Sequence, residues 1–329
     1  MTAARHILWL TVPIVLGCAG GDGGNGNGTG PEEPGPTHPL GDITATLTLD
    51  GRPHGVAVAS SGTFYISRID DDSVTRGQVD SLTQVFTGSA GVGHTPAHVA
   101  LTPDGHTAFT ANQFGSTVSV VDVATNHETA EIPLSDGGFN LLVSPDGSRL
   151  YVTTAAGVLH VIDVATLQVI DTLSVGAAAN GLAIDADDQR VYVSSIFADR
   201  VSAVGAAANQ IERTYAVAGM PQRIAVNRAG DELYVASEAV GLEVLDLASG
   251  AHTPVPGVGT GAVGLALSPD EQVLYVTRPP NGELVIVDRS SRQVVKTLSG
   301  LARPRNVAFG ANGRVALVTG EGGVVYFIR

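Results

Sequence analysis

Polar side chains that could bind or transform a ligand recur at matching places along this chain of 329 residues. One set stands directly before short apolar runs, or one residue earlier, and comprises His54, His98, Asn140, Asn180, Gln222, Arg223, Arg305 and Asn306. A second set ends the next apolar runs and comprises Arg68, Asn112, Ser195, Glu238, Arg278 and Glu321. Guanidinium and amide groups bind polar ligands, and an arginine beside a glutamate can also support acid or base catalysis. The two sets therefore predict a binding site or a hydrolytic one.

Other kinds of catalytic site find little support in the sequence. His94 and His98 are separated by a proline-containing loop rather than a helical turn, so we do not expect them to share a metal ion. The acidic run at residues 70–72 lacks the alternating spacing of a calcium loop. The sequence has no Gly-x-Ser-x-Gly segment for a serine nucleophile and no Cys-x-x-Cys-His segment for haem. We predict no metal and no cofactor.

The elements that must position these side chains repeat about every 42 residues. The anchors of the repeat follow one another at intervals of 44, 42, 41, 42, 41 and 42 residues, and are Tyr65, Phe109, Tyr151, Tyr192, Tyr234, Tyr275 and Leu317. A second series has aspartate at five of its six positions, which are Asp80, Asp122, Asp163, Gly205, Asp246 and Asp288. Seven units of this length are the sequence signature of an all-β, seven-bladed β-propeller.

Each unit is expected to form one blade of four short antiparallel strands. In the third unit, apolar runs at 141–143, 150–153, 159–162 and 169–173 are separated by turn residues, including a Ser-Pro-Asp-Gly turn at 144–147. The seventh unit ends at Arg329 after only three such runs. The alternating segment Ile43–Leu49 can supply the missing strand, so we predict that the two ends of the chain pair and close the ring.

The repeat motifs resemble those of the bacterial YVTN-type seven-bladed propellers. The motifs that carry the resemblance are Tyr151-Val152-Thr153, Tyr275-Val276-Thr277, Val121-Asp122-Val123-Ala124-Thr125-Asn126 and Ile162-Asp163-Val164-Ala165-Thr166. The likeness covers essentially the whole repeat region, and it concerns turn and strand residues. The same superfamily is similar to the seven-bladed lactonases, which implies catalytic roles for Arg, Glu and His around the channel mouth. Arg223, Glu238, Arg278 and Arg305 match two of these types, whereas the ring histidines, His54 and His98, belong to the first two blades.

Both polar sets are expected on the same face of the propeller, around its central channel. Each inner strand begins there and each second strand ends there, and convergent polar groups in a concave mouth are typical of a ligand site. We predict a ligand-binding or protein-interaction module whose site residues are His54, His98, Asn112, Asn140, Asn180, Arg223, Glu238, Arg278 and Arg305. A lactonase-type hydrolase at the same mouth is the alternative.

The first forty residues differ in composition from the repeats. Residues 1–17 contain a short polar start and an apolar stretch, and Val15-Leu16-Gly17-Cys18 looks like a bacterial lipobox, so we predict a signal peptide and lipidation of Cys18. Residues 18–40 are rich in glycine and proline and are expected to form a tether to the propeller, residues 41–329. We expect a monomer in the bacterial cell envelope, facing the periplasm or the exterior.

The charge of the chain argues against one class of partner. The 32 acidic residues outnumber the 18 basic ones, giving a formal net charge of −14. Nucleic acid is bound through basic surfaces, which this composition does not favour. We therefore predict no nucleic acid, contact with the membrane only through the lipid anchor, and a small molecule or an envelope protein as the partner.

Overall fold

A computed structural model describes residue 38 and residues 41–79, 84–187, 189–310 and 313–329. These residues form 28 strands in seven four-stranded sheets, with one 3₁₀ turn at Pro279–Asn281. The compact unit spans Pro36–Arg329. The predicted signal peptide, Cys18 and nearly all of the predicted tether lie outside the described residues. Within these residues, the 3₁₀ turn is far too short to cross a membrane, and there is no longer helix to consider.

The strands follow the chain in blade order. The first strand, β1 (Ile43–Thr48), belongs to the last blade. The next strands, arranged in blades 1 to 3, are β2 (Pro53–Val58), β3 (Thr63–Arg68), β4 (Ser73–Val79) and β5 (Gln84–Gly91); β6 (Pro96–Leu101), β7 (Thr107–Asn112), β8 (Thr117–Asp122) and β9 (His127–Pro133); β10 (Gly138–Val143), β11 (Arg149–Thr154), β12 (Val158–Asp163) and β13 (Gln168–Ser174). Each group of four forms one antiparallel sheet.

The remaining blades have the same order. Blades 4 to 6 contain β14 (Ala179–Ile184), β15 (Arg190–Ser195), β16 (Arg200–Gly205) and β17 (Gln210–Ala216); β18 (Pro221–Val226), β19 (Glu232–Ser237), β20 (Gly241–Asp246) and β21 (His252–Pro254); β22 (Leu265–Leu267), β23 (Val273–Arg278), β24 (Glu283–Asp288) and β25 (Gln293–Ser299). Blade 7 contains β26 (Pro304–Phe309), β27 (Ala316–Gly320) and β28 (Val324–Ile328), with β1 outermost. The seven inner strands, β2, β6, β10, β14, β18, β22 and β26, contact one another in a closed cycle. The predicted seven-bladed propeller is confirmed.

Closure by the N-terminal strand is confirmed as well. Strand β1 pairs antiparallel with β28, in a register that places Ala45 opposite Phe327 and Leu47 opposite Val325. Backbone bonds between Asp42 and Arg329, of 2.8 and 2.9 Å, continue the ladder beyond the strand. The two ends of the chain therefore complete one blade together.

Turn chemistry explains the recurrent polar motifs. In blade 3 the Ser144 hydroxyl donates to the Asp146 carboxylate at 2.5 Å, and Gly147 adopts φ 75°, which a glycine tolerates. At the end of the third strand, the Asp163 carboxylate accepts hydrogen bonds from the side chain and the backbone N–H of Thr166. These bonds hold the pKa of Asp163 below its usual range. Asp122, Asp246 and Asp288 accept the equivalent backbone bonds, so these four aspartates are turn residues, as Asx turns require, whereas Asp80 lies outside the described residues.

The aromatic anchors form the core between blades. The anchor of every unit is at most 2% exposed. Tyr151 of blade 3, for example, packs with Leu182 and Val193 of blade 4. Because each blade buries its anchor in this way, the hydrophobic core is a ring of interfaces rather than one central mass.

The inner strands begin earlier than the sequence predicts. All eight residues of the first polar set lie inside these strands and not before them: His54, His98, Asn140, Asn180, Gln222, Arg223, Arg305 and Asn306. In the inner strands of six blades the first residue pairs with the end of the second strand, and a break in register follows. The residues in these bulges belong to none of the apolar clusters between the blades, so the apolar pattern starts only after the bulge.

Candidate functional site

A cavity of about 220 Å³ lies at the channel mouth, on the side where the inner strands begin. All seven blades contribute the same repeat position to its lining, and these residues are His54, Ala97, Phe139, Asn180, Gln222, Val263 and Arg305. The other lining residues are Gln113, Ile196, Arg223 and Asn306. The cavity thus has a mixed wall of charged, amide and apolar side chains, which is the composition expected of a ligand site.

Buried hydroxyls hold four of these seven positions in place. Thr277, near the end of β23, accepts a bond from the Gly264 N–H and donates to the Arg305 carbonyl in the next blade, both at 2.8 Å. Three other hydroxyls donate in the same way to the backbone carbonyl of a lining residue: Thr153 to Asn180, Ser194 to Gln222 and Thr319 to His54. All four hydroxyl residues, here called the bridging hydroxyls, are 0% exposed. Thr153 and Thr277 are the threonines of the repeat motif, so the motif residue that defines the strand also fixes the cavity wall.

Glycines allow the blades to approach closely beneath the cavity. A methyl group at Gly264 would collide with the Arg305 carbonyl and with the Thr277 hydroxyl, and one at Gly181 would collide with the Gln222 carbonyl. Neither glycine needs a positive φ, so the requirement is for space alone. The backbone of a cavity-lining residue therefore rests directly on the inner strand of the preceding blade.

Arg223 is a half-buried cation with few partners. Its Nε donates to the Asn306 side-chain oxygen at 3.1 Å. Within the part of the chain that the structure describes, no carboxylate lies within ion-pair distance of its guanidinium. Burial, with a smaller contribution from the Arg305 charge, lowers the pKa of Arg223 to about 9. The side chain is still charged at neutral pH, and apart from Nε its donors have no acceptor among the described residues.

Arg305 has a partial counterion. Its Nε lies 3.7 Å from Glu321, and the same carboxylate pairs with Arg303 at 3.1 Å. The Arg303 side chain is 71% exposed, whereas the Glu321 side chain is 9% exposed. Glu321 therefore lies below the rim and is shared by two arginines.

The two histidines at the starts of the inner strands, His54 and His98, are neutral. The Nδ1–H of His54 donates to the Ala97 carbonyl at 2.6 Å, which leaves Nε2 as an acceptor 3.7 Å from Glu321. Burial is the main cause that lowers the pKa of His54 to about 3, and the Arg305 charge adds to it. Burial, followed by the Arg223 charge, also lowers the pKa of His98 well below its usual range. The Nδ1 atom of His98 is buried and has no hydrogen-bond partner among the described residues.

These histidines should make the fold acid-sensitive. The unfolded chain protonates histidine near pH 6.5, whereas folded His54 takes up a proton only near pH 3. Below pH 6.5 the unfolded state therefore binds more protons, and stability falls as pH falls. We expect chemical denaturation between pH 6 and 4.5 to show a slope about 1.4 kcal/mol per pH unit smaller for His54→Gln than for wild type. The exposed control His127→Asn should leave the slope unchanged; equal slopes for wild type and His54→Gln would contradict the assignment.

The remaining predicted site residues have other partners. Glu238 accepts a bond from the Gln222 amide at 2.5 Å, and Gln222 in turn accepts one from Asn180 at 2.7 Å. Asn112 donates to Thr117 and Ser119 within its own blade, Asn140 accepts from the Leu141 N–H, and Arg278 pairs with Glu283. Of the predicted set, the cavity is lined by His54, Asn180, Arg223 and Arg305. Arg223 and Glu238 each have a different partner and form no ion pair with one another.

The apolar part of the wall was not predicted. Ala97, Phe139 and Val263 occupy the same repeat position as His54, at steps of 41 to 43 residues along the series, but a search for polar residues passes over them. Gln113 and Ile196 follow the ends of second strands by one residue. The regular spacing alone would have identified Ala97, Phe139 and Val263. Among the described residues, no three metal-ligating side chains come together.

Comparisons with known proteins agree with the fold. No protein-family profile matches the sequence, and no curated protein matches it. A solved chain of hydrazine synthase from Kuenenia stuttgartiensis is similar in structure, with a TM-score of 0.75 and 20% identity, over 86% of this chain and 97% of that chain. A likeness at this identity concerns the backbone and not the chemistry. The chain is a seven-bladed β-propeller.

Proposed function

We propose that this protein is a binding module that holds a small polar ligand in the channel-mouth cavity. The observation that carries the proposal is Arg223, a half-buried cation that lines the cavity and has no counterion among the residues that the structure describes. Leaving a buried charge unpaired is costly, and such groups in folded proteins are normally satisfied by a partner or a ligand. The mixed wall around it would enclose the rest of the bound molecule.

Binding accounts for the geometry better than lactone hydrolysis does. A hydrolase needs an acid or base whose pKa is close to the working pH. His54 is a weak base, because its pKa is about 3, and Glu238 is bonded to Gln222 and does not line the cavity. Turnover of a lactone panel by the purified protein, lost in Glu238→Gln, would favour the hydrolase instead.

A ligand screen tests the proposal directly. A small compound that binds the folded protein should raise its melting temperature, by an amount that grows with concentration. We expect Ala97→Leu, which adds bulk inside the cavity, to remove that rise. Ala156→Leu adds the same bulk at an exposed turn and should preserve the rise. If no compound in a broad panel stabilises the protein, or if Ala97→Leu responds like wild type, the proposal is wrong.

We further propose that the chain is an exported lipoprotein of the YVTN-type family. The proposal is supported by the lipobox-like segment that ends at Cys18, the sole cysteine, and by the repeat motifs. Cys18 lies outside the described residues. The propeller would then act in the cell envelope, tethered to the membrane through residues 18–40, and could bind an envelope protein at the same face.

Replacing the sole thiol tests the anchor. Lipidation requires the cysteine sulfur, so Cys18→Ser should release the protein from membranes or leave it unprocessed. Membrane fractions washed with carbonate should retain the wild type and lose most of the variant. Equal retention of the two proteins would contradict lipid anchoring.

A further inference from the structure

We infer that the ligand of this cavity is a small organic anion with a single negative charge, a monocarboxylate, and that Arg223 holds its carboxylate. The inference rests on the proposed binding function and narrows it to one chemical class. It is drawn from three features of the mouth: the free donors of Arg223, the balance of charge around them, and the apolar part of the wall.

The donors of Arg223 match a carboxylate. A guanidinium offers five N–H groups in a planar fork that can contact both oxygens of a carboxylate at once. Among the donors of Arg223, only Nε forms a hydrogen bond with a described residue, to the side-chain oxygen of Asn306. This bond fixes the plane of the guanidinium group. The two terminal nitrogens have no hydrogen-bond partner among the described residues, and Arg223 lines the cavity. His98 does not line the cavity, but the Arg223 charge contributes to the lowered pKa of its imidazole, and its buried Nδ1 has no hydrogen-bond partner among the described residues.

The charge balance favours one negative charge rather than two. Three arginines stand at this side of the mouth, Arg223, Arg303 and Arg305, and Glu321 neutralises one charge between the last two. Glu238, joined to the lining residue Gln222, supplies a second negative charge. Three positive charges minus two leave an excess of one. A phosphate monoester carries about −1.5 to −2 at neutral pH and would meet repulsion from both glutamates.

The apolar lining indicates a carbon body on the anion. Ala97, Phe139, Ile196 and Val263 make up four of the eleven residues that line the cavity. An inorganic anion would leave these side chains in contact with water, whereas a short aliphatic or aromatic acid would cover them. The wall is thus complementary to a molecule with one charged end and one apolar end.

Matched pairs of acids and amides provide the test. The full chain is titrated by calorimetry with propionate and benzoate, and with propionamide and benzamide, which keep the shape and lack the charge. We expect at least one acid to bind at least about tenfold more tightly than its amide, since a charge-assisted bond would be lost. Arg223→Gln should lower the affinity for that acid by a similar factor. Arg190→Gln changes an exposed arginine that pairs with Glu212 and does not line the cavity, so it should have little effect.

Each outcome separates this inference from the broader proposal. Amides that bind as tightly as their acids would overturn the inference while leaving the binding function in place, and this comparison needs only the wild type. Unchanged affinity in Arg223→Gln, or inorganic phosphate binding more tightly than either acid, would also overturn it. If a neutral compound from the ligand screen binds and neither acid does, only the carboxylate assignment fails. If nothing binds, both fail.

Discussion

Deletion of residues 43–49 should unfold or aggregate the propeller at temperatures where the wild type is stable. The deletion removes β1 and leaves the edge of β28 without a partner over the five residue pairs of its ladder. With a net value of about 1 kcal/mol for each hydrogen bond, we expect a loss of about 3–5 kcal/mol. That is a large part of the ~5–15 kcal/mol by which such domains are stable. Chemical denaturation and light scattering would measure the loss and the aggregation.

A second truncation controls for shortening the chain. Deletion of residues 19–35 removes tether sequence that precedes the compact unit, and it should change the melting temperature little. The control stops before His38, because the His38 ring contacts the Asp270 carboxylate at 2.9 Å. Equal stability of the two truncated proteins would contradict closure by β1.

Gly264→Ala should destabilise the protein and disturb the cavity together. The new methyl group would overlap the Arg305 carbonyl and the Thr277 hydroxyl, and these two atoms are hydrogen-bonded to each other. The carbonyl belongs to the backbone and the hydroxyl to a short, fully buried side chain, so blade 7 must move away from blade 6. Overpacking of this kind costs about 1–3 kcal/mol, and here it would also shift Arg305. We expect a lower melting temperature and, in the same preparation, weaker binding of any ligand found in the screen.

The matched control is another glycine in a strand. Gly91, at the end of β5, also avoids positive φ, and a methyl group there would have no neighbour within 4 Å. Gly91→Ala should therefore be neutral or slightly stabilising, because alanine restricts the unfolded chain. A Gly264→Ala protein as stable as Gly91→Ala would show that the blades are not held as closely as the structure indicates.

The fold followed from the sequence because its determinants are local and repeated. A Tyr anchor, a Ser-Pro-Asp-Gly turn and an Asp-centred turn each specify a piece of hairpin geometry, and seven copies remove the ambiguity of any one. Even the degenerate seventh unit was identified, since Leu317 kept the interval. Strand starts were placed wrongly at the channel, where the bulges interrupt the apolar pattern.

The candidate site was only partly predictable. The repeat register placed His54, Asn180, Arg223 and Arg305 at the mouth, where the structure has them. It did not reveal that Arg223 bonds to Asn306, 83 residues away, rather than pairing with Glu238 of its own blade. Such partners depend on how the bulge turns each side chain, and on distances across the ring that no periodic pattern encodes.

The bridging hydroxyls have a consequence for how this protein can change over evolutionary time. They donate hydrogen bonds to the backbone carbonyls of four lining residues, His54, Asn180, Gln222 and Arg305. These bonds do not depend on which side chain each of the four residues carries. A mutation at any of these positions can thus alter the wall while leaving the scaffold intact. Ligand specificity can therefore change through one substitution in one blade, while the backbone contacts between blades are kept.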